Sequence, residues 1–199
     1  NWPSLTNINT KLKKNSVVSK FFKQIINKQN RYITTGVYVG NRSIAHDYYS
    51  AHDFLKKNDF AIELNIFGDG SSLNNEASTG KGFIETSWGY IPELYLSSIL
   101  EKVDFGLVTL NNNLLTQNIP GKFVTYAQCA VPVICFANKN SSLSHLIKKY
   151  DCGLIIDLSD SINYNKNKFN SFLKELKSNR IYYKSNSKRL FNENFNIEV

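Results

Sequence analysis

Short β-branched, apolar runs alternate with amphipathic segments along most of this 199-residue chain, and that alternation limits the folds open to it. Residues 32–39, 60–67, 82–86, 105–110, 131–137 and 153–157 read as strands. Between them, residues 45–58, 91–103, 120–129 and 142–150 carry apolar side chains at helical spacing. Two further helical segments, 166–178 and 181–191, close the chain. Strands alternating with helices of about ten residues or more mean repeated βαβ units and a parallel sheet. Two of the strands, Phe105-Gly106-Leu107-Val108 and Val131-Pro132-Val133-Ile134-Cys135-Phe136, are continuously apolar, as strands covered on both faces are. The expected fold is therefore α/β, a doubly wound, Rossmann-like parallel sheet of about six strands.

Residues 1–30 stand apart from this pattern. Residues 1–15 are polar and rich in Asn and Lys, and read as a connector. Residues 16–29 place Val17, Val18, Phe21, Phe22, Ile25 and Ile26 on one helical stripe with basic residues opposite. Such a basic amphipathic helix reads first as a packing or interdomain helix, with an anionic lipid surface as the alternative. The body, residues 31–199, is one domain, including the two C-terminal helices.

The net charge of +8 favours an anionic partner, although much of it is spread over flanking helices as a solvated face. Nucleic acid is not expected, because no reading motif or array of stacking aromatics accompanies the charge. The three cysteines, Cys129, Cys135 and Cys152, lack C-x-x-C spacing and lie in apolar stretches. They read as buried free thiols of a reducing compartment. The three histidines supply no matching ligand spacing, so no metal site is expected. No run approaches the roughly 18 apolar residues of a membrane span. The chain contains no methionine, even at position 1, and so reads as a piece of a longer protein.

In a sheet of this kind, ligands bind at the carboxyl ends of the strands, near the point where strand order reverses. The sharpest feature among those loops is Asn118-Ile119-Pro120-Gly121-Lys122. Pro120 pre-sets helical φ at a first turn, and Gly121 allows close approach to the backbone. Unpaired N–H groups and the positive dipole end attract anions there, whereas Lys122 is locally unfavourable. An anion seated between them resolves that conflict. Gly40-Asn41-Arg42-Ser43 follows the first strand without G-x-G-x-x-G spacing, and Arg42 offers a fork of donors for a diphosphate. His46 and Asp47, just beyond it, lie within reach of the same crevice, or else serve only to cap the next helix. Gly68-Asp69-Gly70 is by itself a turn signal.

Several stretches, in order, resemble glycosyltransferase family 4: Val39-Gly40-Asn41, Ile66-Phe67-Gly68-Asp69-Gly70, Gly89-Tyr90-Ile91-Pro92-Glu93-Leu94 and Val103-Asp104-Phe105-Gly106-Leu107-Val108-Thr109-Leu110. The series continues through Ile119-Pro120-Gly121-Lys122-Phe123-Val124-Thr125-Tyr126-Ala127, Pro132-Val133-Ile134, Leu146-Ile147 and Cys152-Gly153-Leu154-Ile155-Ile156-Asp157 to the stretch 191–198. The resemblance covers about residues 31–199 and implies the C-terminal, donor-binding half of a GT-B-fold glycosyltransferase. By that resemblance the substrate is a nucleotide-diphosphate sugar, transferred with retention to a glycan or lipid-linked acceptor in surface polysaccharide or glycoconjugate synthesis, without a metal cofactor. The acceptor domain lies outside this chain, so isolated activity is not expected. The enzyme would work in the cytoplasm, with a peripheral position at the inner membrane face open to it.

The resemblance gives Arg42 and Lys122 the catalytic role of neutralising the leaving diphosphate. It gives donor contacts to Gly40, Asn41, Gly68, Asp69, Gly70, Trp88, Gly89, Tyr90, Ile119, Pro120, Gly121, Thr125 and Tyr126, with the base lying against the backbone of residues 86–90. Thr125 stands where the family has a ribose-binding glutamate, and the family's loop lysine falls near Ile44, leaving Arg42 as its substitute. Those departures keep a second reading open, a GT-B-like binding module without catalysis.

Overall fold

The computed structural model describes residues 16–28, 33–42, 46–68, 82–112 and 119–196. Among these residues, strands β1 (Thr34–Val39), β2 (Ile62–Phe67), β3 (Phe83–Gly89), β4 (Phe105–Thr109), β5 (Val133–Phe136) and β6 (Gly153–Ile156) form one sheet. Its order is β3-β2-β1-β4-β5-β6, and every neighbouring pair is parallel. The order reverses between β1 and β4, which defines the switch point.

Helices cover both faces, as the uninterrupted apolar strands require. On one face, α1 (Ser16–Lys28), α3 (Leu96–Leu100), α4 (Gly121–Gln128), α5 (Ser142–Tyr150) and α7 (Arg180–Asn194) pack around Val37, Phe67, Val108 and Cys135. On the other, α2 (Tyr48–Asn58) and α6 (Ile162–Ser178) pack around Tyr38, Leu64, Leu107 and Ile134. Each fully buried Leu, Ile or Phe in these layers stabilises the fold by about 1.5–3 kcal/mol.

The apolar stripe of α1 faces this domain: Val18 and Phe21 are fully buried, and Phe21 meets Phe67 and Trp88 edge-on. No helix among the described residues is long and apolar enough to cross a membrane. Cys135 and Cys152 are buried free thiols, Cys129 a half-buried one, and burial raises the pKa of all three.

Three segments differ from their sequence expectation. β3 runs on to Gly89, because β2 pairs with it that far through a bulge at Trp88, whose indole N–H donates to Asn65 (2.8 Å). The segment after Pro92 starts as a 3-10 turn over Glu93–Tyr95 and becomes α-helical only over Leu96–Leu100. Helix α6 begins four residues earlier than expected, at Ile162, because the Ser161 hydroxyl caps it by accepting from the Tyr164 amide (3.3 Å).

The loops at the carboxyl edge of β4, β5 and β6 are tied together by Asp157. Its carboxylate accepts from Asn112 Nδ2 (2.7 Å), the Ser159 hydroxyl (2.6 Å) and the Lys139 amide (2.8 Å). Burial alone raises its pKa, but these hydrogen bonds outweigh burial and hold it well below the ordinary carboxylate range.

Candidate functional site

Helix α4 is placed at the switch point by Tyr126. Gly106 on β4 has no side chain, and a Cβ built there would lie 2.4 Å from the Tyr126 ring. The ring therefore lies flush on the sheet, wholly buried. Its hydroxyl accepts from the Val39 amide (2.9 Å) and donates to the Val37 carbonyl (3.4 Å), so α4 is fastened to the end of β1. Tyr126→Phe leaves the Val39 N–H without that partner and should lower stability by about 1–3 kcal/mol in denaturant unfolding.

This fastening sets the start of α4 beside the first loop. Pro120 is extended (φ −63, ψ 136), the helix begins at Gly121, and no side chain caps it. A Cβ at Gly121 would meet no atom of the described residues within 4 Å, so among them the helix start is open. Unpaired N–H groups at such an open end are suited to an anion.

Lys122 belongs to α4, whose Phe123 and Tyr126 join one core layer, yet its ammonium crosses the carboxyl edge of the sheet to a residue of the other. Nζ stands 3.8 Å from the centre of the Tyr38 ring and 3.6 Å from a Cβ built on Gly40. Gly40 has φ +114, a conformation side chains rarely adopt. Nζ is buried and makes no hydrogen bond among the described residues. Burial pushes its pKa down to about 8, and the Tyr38 ring offsets only part of that cost.

Arg42 has partners of its own. Its guanidinium is 3.6 Å from Glu85 of β3 and lies over the Tyr48 ring (5.8 Å). Glu85 also accepts from the Tyr48 hydroxyl (2.8 Å) and lies 3.2 Å from His52 Nε2. Tyr48 packs on Tyr38 (4.7 Å between centroids), so Lys122 and Arg42 rest on two neighbouring rings. Sequence reasoning treats both as free cations, because nothing local marks Glu85 as the partner of Arg42.

The remaining sequence candidates divide. The Asn41 carbonyl accepts from the Tyr38 hydroxyl (2.9 Å), which shapes the first loop. Gly68 (φ +110) abuts the Gly40 backbone and donates its amide to the Gly89 carbonyl (3.0 Å), bringing the loops after β1, β2 and β3 together. Asp69, Gly70 and Ile44 lie outside the described residues. The Trp88 and Tyr126 side chains are sealed in the core, leaving Trp88 only its backbone for a ligand. Tyr90 is 73% exposed beside Gly89. Ile119 and Pro120 are half-buried at the entry to α4. The Thr125 hydroxyl donates to the Gly121 carbonyl one turn back (3.1 Å), so it is engaged by its own helix.

Two further polar atoms at this edge are buried without a hydrogen bond, His46 Nδ1 and the hydroxyl of Thr109, the last residue of β4. Thr109 escapes sequence reasoning; its one signal is a hydroxyl closing an apolar run. Among the described residues no group of three or more His, Cys, Asp or Glu side chains is arranged to hold a metal ion.

No family model and no curated protein matches the chain. Solved structures do. WaaG, a glycosyltransferase involved in lipopolysaccharide biosynthesis, matches with TM-score 0.56 and 13% identity over 88% of this chain and 47% of that one. Sucrose-phosphate synthase from Thermosynechococcus elongatus matches with TM-score 0.59 and 15% identity over 87% and 45%. Anabaena HepE, solved in complex with UDP-glucose, gives 0.57 and 13% over 89% and 49%. The chain thus spans about half the length of these structures. At such identities the likeness is one of fold: the six-stranded sheet is a single Rossmann-like half of the GT-B architecture.

Proposed function

We propose that this chain is the donor-binding half of a retaining glycosyltransferase and holds the diphosphate of a nucleotide sugar at the start of α4. The observation that carries this reading is Lys122, an ammonium kept buried and without a hydrogen bond at the switch point. A fold that retains such a charge at a cost in stability does so for a partner that neutralises it. Diphosphate oxygens between Nζ and the first N–H groups of α4 meet both needs.

The same groups stabilise charge as it develops on the leaving nucleoside diphosphate. Arg42 joins them by exchanging Glu85 for phosphate. The base would lie along the backbone of residues 86–90, beside exposed Tyr90. The acceptor, a glycan or lipid-linked saccharide in surface polysaccharide or glycoconjugate synthesis, would be bound by a second domain, at the cytoplasmic face of the membrane. No step in this reading calls for a metal cofactor.

Calorimetric titration of the chain with UDP, GDP and ADP tests the reading. One of them should bind saturably at a single site, with binding lost in Lys122→Ala; failure of all three to saturate would overturn it. A binding module without catalysis is the second reading, favoured by the engaged Thr125 hydroxyl and the Arg42–Glu85 pair. Sugar transfer from a panel of nucleotide sugars, by the protein carrying both halves, would exclude it.

A further inference from the structure

We infer that His46 is a titratable arm of the same site, taking up a proton from solvent as the diphosphate binds and so making donor affinity depend on pH. This inference rests on the proposed donor site and goes beyond it in naming a ligand group and a form of regulation.

His46 precedes α2 at the carboxyl edge of the sheet; Asp47, between it and the helix, has a left-handed backbone (φ 43). Its Nδ1 is buried without a hydrogen bond, as is the Lys122 ammonium, and the Lys122 charge bears on the ring. The Thr109 hydroxyl, equally unpartnered, ends the strand on the far side of the switch point. Three buried polar atoms, one each from α4, the α2 entry and β4, thus make no hydrogen bond among the described residues where strand order reverses, although the His46 ring also bonds to the Thr109 backbone. One such atom is a local cost; three at the ligand-binding edge of a doubly wound sheet describe a receptor for oxygens.

The protonation state of the free site follows from its neighbours. Burial and then the Lys122 charge lower the His46 pKa below the ordinary histidine range, while the Thr109 backbone acts the other way. Other charges near this edge are engaged elsewhere. Asp47 accepts from the Ser50 hydroxyl (2.7 Å), and Arg42 lies against Glu85. Free His46 is therefore neutral at neutral pH, and its bare Nδ1 cannot donate to an anion. A bound diphosphate reverses the electrostatics: it cancels the Lys122 charge on the ring and offers Nδ1–H an acceptor. The pKa rises in the complex, so affinity strengthens as pH falls through the bound-state value and levels off below the free-state value.

Isothermal titration with UDP-glucose and GDP-mannose, in buffers of differing ionisation enthalpy, reads this directly. Their diphosphates are diesters with no ionisation of their own in the neutral range, so any proton taken up goes to the protein. Near pH 6.5 the wild-type chain should take up about half a proton or more per ligand, with affinity rising about 5–10-fold from about pH 7.5 to 6. His46→Gln should abolish that uptake and flatten the profile, keeping only the Lys122 step centred near pH 8. His46→Lys, charged throughout, should bind at every pH as tightly as wild type does in acid. Thermal unfolding of both variants shows that they are folded. Unchanged uptake in His46→Gln, or a flat wild-type profile, would overturn the role of His46 while leaving the donor site in place. Failure of wild type to bind either sugar nucleotide would overturn the site and this inference together.

Discussion

Lys122→Met should make the fold more stable and at the same time remove its affinity for a nucleotide diphosphate. Methionine fills the volume of the lysine stem and packs on Tyr38 without an ammonium to desolvate. The buried charge has no hydrogen bond to lose. We expect a stability gain on the order of 1–2 kcal/mol at pH 7 in denaturant unfolding. Binding should fall about 30–100-fold, the worth of a hydrogen-bonded charge facing a phosphate.

The pH dependence carries a matching signature. The folded pKa of Lys122, about 8, lies below the ordinary lysine value of 10.5. Between those values the unfolded chain binds more protons than the folded one, so wild-type stability gains on Lys122→Met as pH rises. The advantage of the variant is full below about pH 8 and shrinks above it. A lysine that was merely a surface residue would give neither the gain nor the pH step.

Gly106→Ala should be the most damaging single-methyl change near the site. The added Cβ would stand 2.4 Å from Tyr126 Cδ2 and 2.6 Å from two neighbouring ring atoms. The ring has no free volume to move into, because it is fully buried and its hydroxyl is fixed on the β1 backbone. Relief requires α4 to lift from the sheet, at a cost of about 2–4 kcal/mol, or roughly 5–15 °C in Tm for a chain of this size. Molecules that remain folded should bind nucleotide weakly, since α4 carries both Lys122 and the open helix start. Gly121→Ala supplies the contrast: its Cβ meets no described residue within 4 Å, so stability should hold while the methyl obstructs the ligand. Thermal unfolding paired with nucleotide titration of both variants reads the difference.

The layered α/β sheet is legible in the sequence because its cause is local: each strand is a short apolar run and each helix an amphipathic one. Boundaries set by distant partners are less so. β3 extends to Gly89 because β2 and Asn65 lie alongside it, and nothing within residues 87–89 announces that pairing. The site divides in the same way. Lys122 is conspicuous in the sequence as a cation at the positive end of a helix, a conflict between neighbours in the chain. Arg42 reads as a free cation because Glu85, its partner, comes from another strand. Tyr126 belongs to a stretch that resembles donor-binding sequences, yet its ring serves to hold α4 on β1. Thr109 and His46 stand out only once β1, β4 and α4 converge, since a buried atom without a partner is a property of the fold.

The central claim is that the carboxyl edge between β1 and β4 receives a diphosphate on Lys122. A crystal structure of the chain with the nucleoside diphosphate that binds it in titration tests this most directly. The account predicts phosphate oxygens within hydrogen-bond distance of Lys122 Nζ and of the first N–H groups of α4. A nucleotide bound elsewhere, with Nζ still resting on Tyr38 without a hydrogen bond, would contradict it.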